Sequence, residues 1–133
     1  MHDIPLTPTG LVRLDAATTA VALYACDPDP DVVRGMLAAA AAVAAGHGWK
    51  TAADGTVSDD CLLTQAPCTR PGWERLRGLA EQRRIHLVVV PAFGHIGFTL
   101  DEWLAEQRFL HRHGVSVATV EPMLDAFLAG AAR

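Results

Sequence analysis

Short apolar runs alternate with longer amphipathic stretches along most of the chain. Residues 20–25, 86–91 and 115–120 contain apolar, strand-forming runs, and the stretches between them repeat their apolar positions at helical spacing. Continuous apolar runs of this length are typical of strands buried on both faces of a sheet. A further short strand is predicted at residues 49–53. Because strands alternate with helices, the pattern predicts an α/β domain with a mostly parallel sheet and helices on both faces.

Turn and capping residues mark the predicted helix ends. Asp29, followed by proline, has the character of a helix N-cap. The Arg-Pro-Gly sequence that begins at Arg70 predicts the start of a second helix, and Thr99 with Glu102 has the spacing of a capping box at the start of a third. A last short helix is predicted over residues 123–132.

Two segments show no sustained period. Residues 1–18 mix proline, threonine and glycine and are interpreted as an N-terminal arm with a short strand at residues 10–14. Residues 54–69 hold glycine, serine, proline and two cysteines and are interpreted as a loop, and a loop of this length in a compact domain is usually functional. The predicted organisation is an arm over residues 1–18 and one α/β domain over residues 19–133.

Composition and charge narrow the function classes. The 133 residues carry a formal net charge of −4, which argues against a dedicated nucleic-acid binder but leaves a local basic patch open. No apolar run is long enough to cross a bilayer, and the start of the chain lacks the features of a signal peptide. Three cysteines give no disulfide framework, so a cytoplasmic location with reduced thiols is expected. The abundance of alanine, arginine and glycine is typical of high-GC bacterial genomes.

An ordered series of short motifs carries a family resemblance. In chain order the pieces are Tyr24-Ala25, Gly48-Trp49, Asp54-Gly55-Thr56-Val57-Ser58, Arg70-Pro71-Gly72, residues 93–99 and Gly114-Val115. Over about residues 20–125 the chain thereby resembles the N-terminal catalytic domain of serine recombinases, the family of resolvases and invertases. The resemblance implies a three-layer, resolvase-like fold with a mostly parallel sheet of four to five strands and a connection with DNA recombination.

The positions that carry this family's chemistry differ in this chain. Serine recombinases cut DNA with a serine hydroxyl that attacks a phosphodiester, and arginines stabilise the charge that develops on the phosphoryl group. By the resemblance, Pro28 stands at the place of the serine, Cys26 at that of an arginine, and only Arg70 is kept. The degenerate active-site positions are Cys26, Pro28, Arg70, Gly94, His95 and Phe98. No catalytic residue is assigned, and a catalytically inactive domain that acts as a binding, scaffold or regulatory module is expected.

An enzyme of another class is the alternative hypothesis. Cys26, Arg70 and His95 are expected to converge at the carboxyl ends of the strands, where α/β domains bind ligands. Such an enzyme would reuse this strand-end pocket. For Arg70 itself two interpretations remain open: it binds an anion, or it packs on Trp73 and pairs with an acidic side chain.

The cysteines raise the question of a metal site. Cys26, Cys61, Cys68 and His95 are of the residue types that bind structural zinc. Their spacing is not that of a zinc finger. A buried Cys26, two loop cysteines and a half-exposed His95 form the simpler interpretation, so no metal and no cofactor are expected.

The expected partners are other proteins. A homodimer is predicted, since the last helix carries the apolar residues Met123, Leu124, Phe127 and Leu128 and is too short to be stable alone. A different protein partner stays open. DNA contact also stays open, because the helix after residue 70 is rich in arginine, although Glu74 and Glu81 interrupt its basic face. No membrane contact is expected.

Overall fold

The computed structural model describes residues 4–7, 10–12 and 18–120. Strands β1 (Ile4–Thr7) and β2 (Gly10–Val12) form an antiparallel pair inside the predicted arm. β2 lies within the short strand predicted there. β1 has no counterpart among the sequence predictions, because four residues that include a proline are too few to show a period. The helix predicted over residues 123–132 lies outside the described residues.

The remaining strands form a single parallel sheet. In chain order the elements are β3 (Ala20–Cys26), α1 (Pro30–Gly46), β4 (Lys50–Asp59), α2 (Pro71–Glu81), β5 (Leu87–Val90), α3 (Leu100–Arg112) and β6 (Ser116–Thr119), with single turns of 3-10 helix at Pro67–Thr69 and Phe93–His95. The strand order is β4-β3-β5-β6, and all neighbours are parallel. The predicted α/β fold with a mostly parallel sheet of four to five strands is confirmed, and the sheet has four strands within the described residues. Among the described helices, none has the length and apolar character that crossing a bilayer requires.

Helices cover both faces of this sheet. On one face, Ala40 and Ala44 of α1 pack against Val21 and Leu23 of β3. On the other face, α2 and α3 share a larger core with the alternate residues of the same strand, such as Tyr24. The alternation follows from the period of two along a strand, and it gives the three layers that the resemblance implies.

The strand order creates a switch point between β3 and β5. The chain leaves β3 to form β4 on one side and then crosses to β5 on the other side. Connections that leave two neighbouring strands in opposite directions open a crevice at the carboxyl ends of those strands, which is where open α/β sheets bind ligands. The residues that follow Cys26 and Val90 therefore occupy the place where a site is expected.

β4 corrects the interpretation of residues 54–69 as a loop. The strand continues to Asp59, and only residues 60–66 form an irregular connection before the 3-10 turn. β4 also provides Val57 and Asp59 as buried residues. The irregular segment after β4 is therefore short, and β4 and the 3-10 turn hold its two ends in place.

A β-bulge explains why the alternation of apolar and polar residues does not reveal the full length of β4. One residue separates Val21 from Leu23 on β3, whereas four residues separate their partners Thr51 and Thr56 on β4. Within the bulge Asp54 has a φ of 59°, in the left-handed region that aspartate tolerates better than most residues. Because extra residues shift the alternation of apolar positions, a period of two does not persist along β4.

Candidate functional site

Three of the predicted site residues meet at the switch point. Cys26 ends β3, His95 lies in the 3-10 turn that follows β5, and Arg70 directly precedes α2. The backbone N–H of Cys26 donates to Nδ1 of His95 over 3.1 Å, and the Cys26 sulfur lies 3.8 Å from the same nitrogen. The structure thus brings together side chains that are 69 residues apart in the chain, as the strand-end position predicts.

Arg70 is fully buried, and its donors are engaged by the protein itself. Nε donates to the carbonyl oxygen of Gln65 over 3.0 Å, and Nη2 donates to that of Leu63 over 2.9 Å. Nη1 donates to the carbonyl oxygen of His95 and, over 3.5 Å, to the hydroxyl of Tyr24. The exposed fraction of Arg70 is 0%. Its described hydrogen-bond partners are three backbone carbonyl groups and one hydroxyl, which corrects the interpretation that Arg70 pairs with an acidic side chain.

A buried carboxylate connects this cluster to the start of α2. Asp59 accepts hydrogen bonds from the Tyr24 hydroxyl over 2.7 Å and from the backbone N–H groups of Gly72 and Trp73 over 2.6 and 2.9 Å. It thus satisfies the first free donors of the helix and places a negative charge at the positive end of its dipole. A Cβ at Gly72 would lie 2.3 Å from the carbonyl oxygen of Ser58, so this close approach requires glycine.

The protonation states at the site do not favour a thiol nucleophile. Burial, assisted by the positive charge of Arg70, lowers the pKa of His95 to about 4, so its ring is neutral at pH 7. Burial raises the pKa of Cys26 to about 11, although Arg70 opposes this shift. A thiol with a raised pKa is mostly protonated and weakly nucleophilic. The nitrogen of His95 that faces it already accepts the Cys26 N–H and is not available as a base.

The remaining degenerate positions lie around this cluster. Pro28 is exposed and lines a cleft of about 330 Å³ at the ends of β3 and β4, together with Asp27, Arg34 and Asp60. Gly94 lies partly buried in the 3-10 turn, and Phe98 is 56% exposed. Of the six degenerate positions, three are therefore buried in the cluster and the other three lie around it.

The cysteines do not assemble into the four-ligand site that their types suggest. Cys61 is buried next to Cys26, whereas Cys68 is exposed. No three histidine, cysteine, aspartate or glutamate side chains of the described ranges are grouped so that they could hold a metal ion. His95 is only 7% exposed. This corrects the interpretation of a half-exposed His95, whereas Cys61 and Cys68 both lie in the connection between β4 and α2, as the prediction of two loop cysteines has it.

The arginines of α2 do not form one exposed basic row. Arg70 is buried at the helix start. The guanidinium of Arg77 lies 3.9 Å from the centre of the Phe109 ring, and its Nε lies 3.5 Å from a carboxylate oxygen of Glu106. The same oxygen accepts the indole N–H of Trp73 over 2.7 Å. These contacts fasten α2 to α3 and give Arg77 a packing role.

Sequence reasoning missed the two residues that organise the cluster. Asp59 fell within the segment interpreted as a loop, and Tyr24 was only part of a family motif. The alternation of buried residues that ends at Asp59 was the available signal for a strand end there, and the bulge in β4 concealed it. Asp59 lies twelve residues before α2, so no local capping spacing pointed to its contact with that helix.

Solved structures with the same fold include the catalytic domains of a serine recombinase and of an integrase. The C-terminal catalytic domain of ISC1926 TnpA, an IS607-like serine recombinase, superimposes with a TM-score of 0.66 at 17% identity, over 77% of this chain and 67% of that chain. The N-terminal catalytic domain of TP901-1 integrase gives 0.66 at 16% identity, over 84% and 89%. The first ORF in transposon ISC1904 from Sulfolobus solfataricus P2 gives 0.60 at 9% identity, over 78% and 68%.

These matches confirm the resolvase-like fold that the motifs imply. No family model and no curated protein matches the sequence. At identities of 9–17% the likeness concerns the fold, and the chemistry has to be argued from the residues of this chain.

Proposed function

We propose that this chain, which has the fold of a serine recombinase catalytic domain, is a non-cleaving form of that domain and acts as a binding, scaffold or regulatory module. The observation that carries the proposal is the state of Arg70, the one arginine kept from the family's motifs. It is fully buried and donates to three backbone carbonyl groups and one hydroxyl. A guanidinium held in this way has no free face for a phosphoryl group in transfer.

The end of β3 supports the same proposal. Pro28, at the place that the resemblance gives to the nucleophile, has no hydroxyl. Cys26 carries a buried thiol whose pKa is raised to about 11 by desolvation. Neither group attacks phosphorus readily at neutral pH. An enzyme of another class at this point would need a free base, and the neutral His95 ring accepts a backbone hydrogen bond there instead.

Incubation with supercoiled plasmid DNA tests the absence of cleavage. We expect no covalent protein–DNA adduct on a denaturing gel, because neither a nucleophile nor free arginine donors meet at the strand ends. The Pro28→Ser variant, which restores a hydroxyl, is expected to give no adduct either, since Arg70 stays engaged. An adduct formed by the unaltered protein would refute the proposal.

An exposed apolar surface supports a protein-binding role. Leu62, Phe98 and Leu100 are 63%, 56% and 70% exposed. Leu62 and Phe98 lie on two neighbouring loops that Arg70 ties together, and Leu100 begins α3 directly after the second loop. Large apolar side chains on adjoining surface loops are typical of protein contact sites. The net charge of −4 favours a protein partner over DNA, and a second copy of the chain is the partner we propose.

Light scattering during gel filtration tests this surface. We expect the unaltered protein to be a dimer and the Phe98→Ser/Leu100→Ser variant to shift to monomer, because the substitutions remove apolar contact area. Val32→Ser is the matched control, since Val32 is 42% exposed on α1, away from the two loops. A dimer that tolerates the double substitution but breaks on Leu124→Ser would place the interface in the C-terminal segment and refute the proposed surface.

A further inference from the structure

Two buried thiols share one packed cluster beneath the strand ends. Cys26 pairs with Asp59 across β3 and β4, and the N–H of the next residue donates to the carbonyl oxygen of Asp59 over 3.2 Å. The two strands are therefore still adjacent at their ends. The chain then bends, which brings Cys61 into the buried cluster that contains Cys26. The two side chains are packed in the same buried cluster, where each influences the pKa of the other, and both are free thiols.

We propose that Cys26 and Cys61 are a redox modification site that forms an intramolecular disulfide on exposure to hydroperoxides. The two cysteines reach this cluster from the end of β3 and from the connection after β4, 35 residues apart in sequence, and the strand register brings these two segments together. The pair is distinct from Cys68, which is exposed in the 3-10 turn. This inference is independent of the proposed binding role.

The order of the reaction follows from exposure. Cys61 is 8% exposed and Cys26 only 1%, so the oxidant meets Cys61 first. The Cys61 thiolate attacks one peroxide oxygen, the O–O bond breaks, and the other oxygen leaves as water or an alcohol after taking up a proton. The Cys26 thiolate then attacks the sulfur of the Cys61 sulfenic acid. The S–S bond forms, and hydroxide leaves as water with the Cys26 proton.

The electrons balance without a further cofactor. Two electrons pass from the two thiols to one hydroperoxide. The positive charge of Arg70 lowers the pKa of both thiols against the larger effect of burial, so some thiolate is available. Because the pKa of both thiols is raised on balance, little thiolate is present at neutral pH. We therefore expect a slow reaction, over minutes to hours, and not a fast sensor response.

The disulfide would fasten the connection between β4 and α2. The carbonyl groups that hold Arg70 belong to Leu63 and Gln65, two and four residues after Cys61. A crosslink that closes 35 residues restricts the unfolded chain. We expect the melting temperature of the oxidised protein to rise by on the order of 10 °C, and dithiothreitol to reverse the rise.

Peptide mapping of the folded full chain tests the proposal. A Cys68→Ser background leaves Cys26 in the tryptic peptide of residues 14–34 and Cys61 in that of residues 51–75. After treatment with hydrogen peroxide and alkylation of the free thiols, we expect a linked pair of these peptides, two hydrogen atoms lighter than their sum. Cys26→Ser in the same background is the matched control, and it should give neither the linked pair nor the rise in melting temperature.

Several results would overturn the proposal. If hydrogen peroxide and diamide both leave Cys26 open to alkylation while Cys61 is oxidised further, the two sulfurs do not pair. Linked peptides found only in crosslinked dimers would assign the bond to two copies of the chain. An equal rise in melting temperature in the Cys26→Ser control would show that the stabilisation has another origin.

Discussion

Replacing Arg70 by methionine is expected to lower the free energy of unfolding by about 3 to 5 kcal/mol. Methionine fills much of the same volume but donates no hydrogen bonds, so the carbonyl groups of Leu63, Gln65 and His95 lose their partner. A buried acceptor left unpaired costs about 1 to 3 kcal/mol. Removal of a buried charge offsets part of this loss. Urea unfolding followed by tryptophan fluorescence measures the change.

Arg34→Met is the matched control for this prediction. Arg34 has a 73% exposed side chain on α1 and pairs with Asp31 one turn away, a contact worth little in water. We expect a change within about 0.5 kcal/mol there. Arg70→Lys should fall between the two, because an ammonium group cannot reach all the acceptors that the planar guanidinium spans.

The same variants separate a packing role from anion binding. If Arg70 bound a phosphoryl group, phosphate would raise the melting temperature of the unaltered protein by mass action, and Arg70→Met would abolish that rise. We expect no phosphate-dependent rise. If the free energy of unfolding of Arg70→Met lies within about 1 kcal/mol of that of the unaltered protein, the structural role of Arg70 is refuted. Arg70 is then again a candidate for ligand binding.

The fold was predictable because its main signals are local. The apolar runs at β3 and β5 are continuous, since both strands are covered on both faces, and the capping box of Thr99 and Glu102 forms as its spacing predicts. β4 was only partly predictable. It is an edge strand with a bulge, so its burial alternates only beyond Gly55 and its earlier residues face solvent.

The cluster was less predictable than the fold. Its members could be placed at the same edge of the sheet from strand order alone, which is how Cys26, Arg70 and His95 were brought together. The partner of each side chain could not be read from the sequence. Arg70 donates mainly to backbone carbonyl groups, and every residue type has one, so no residue pattern signals these bonds.

At the switch point, buried side chains fill the crevice between the strand ends, so that it is part of the core. Arg70 and His95 are polar residues at a place where α/β sheets usually keep an open site, yet both are buried here. Their hydrogen bonds run to the chain itself, through Tyr24 to Asp59 and through carbonyl groups to the loops. The exposed side chains of Phe98 and Leu100 therefore lie on a loop held by buried hydrogen bonds and on the helix start that follows it, which suits a surface that binds a partner without rearrangement.

His95 is expected to make the stability of the domain depend on pH. Its folded pKa of about 4 lies below the ordinary value of 6.5, because burial and the charge of Arg70 oppose protonation. The unfolded chain therefore takes up a proton first as the pH falls. The stabilisation is fully present above pH 6.5 and is lost progressively down to pH 4, by about 3 kcal/mol at most. Urea unfolding at half-unit steps across this window measures the slope.

His95→Asn is the control that isolates this contribution from the carboxylates that titrate in the same window. The asparagine oxygen can take the place of Nδ1 as acceptor for the Cys26 N–H but does not titrate, whereas the His95→Gln oxygen falls further along the side chain. The difference in unfolding free energy between the unaltered protein and His95→Asn should therefore shrink or reverse as the pH falls from 6.5 to 4. A difference that stays constant across this range would mean that His95 titrates alike in the folded and unfolded chains, and that its ring is not held neutral by the cluster.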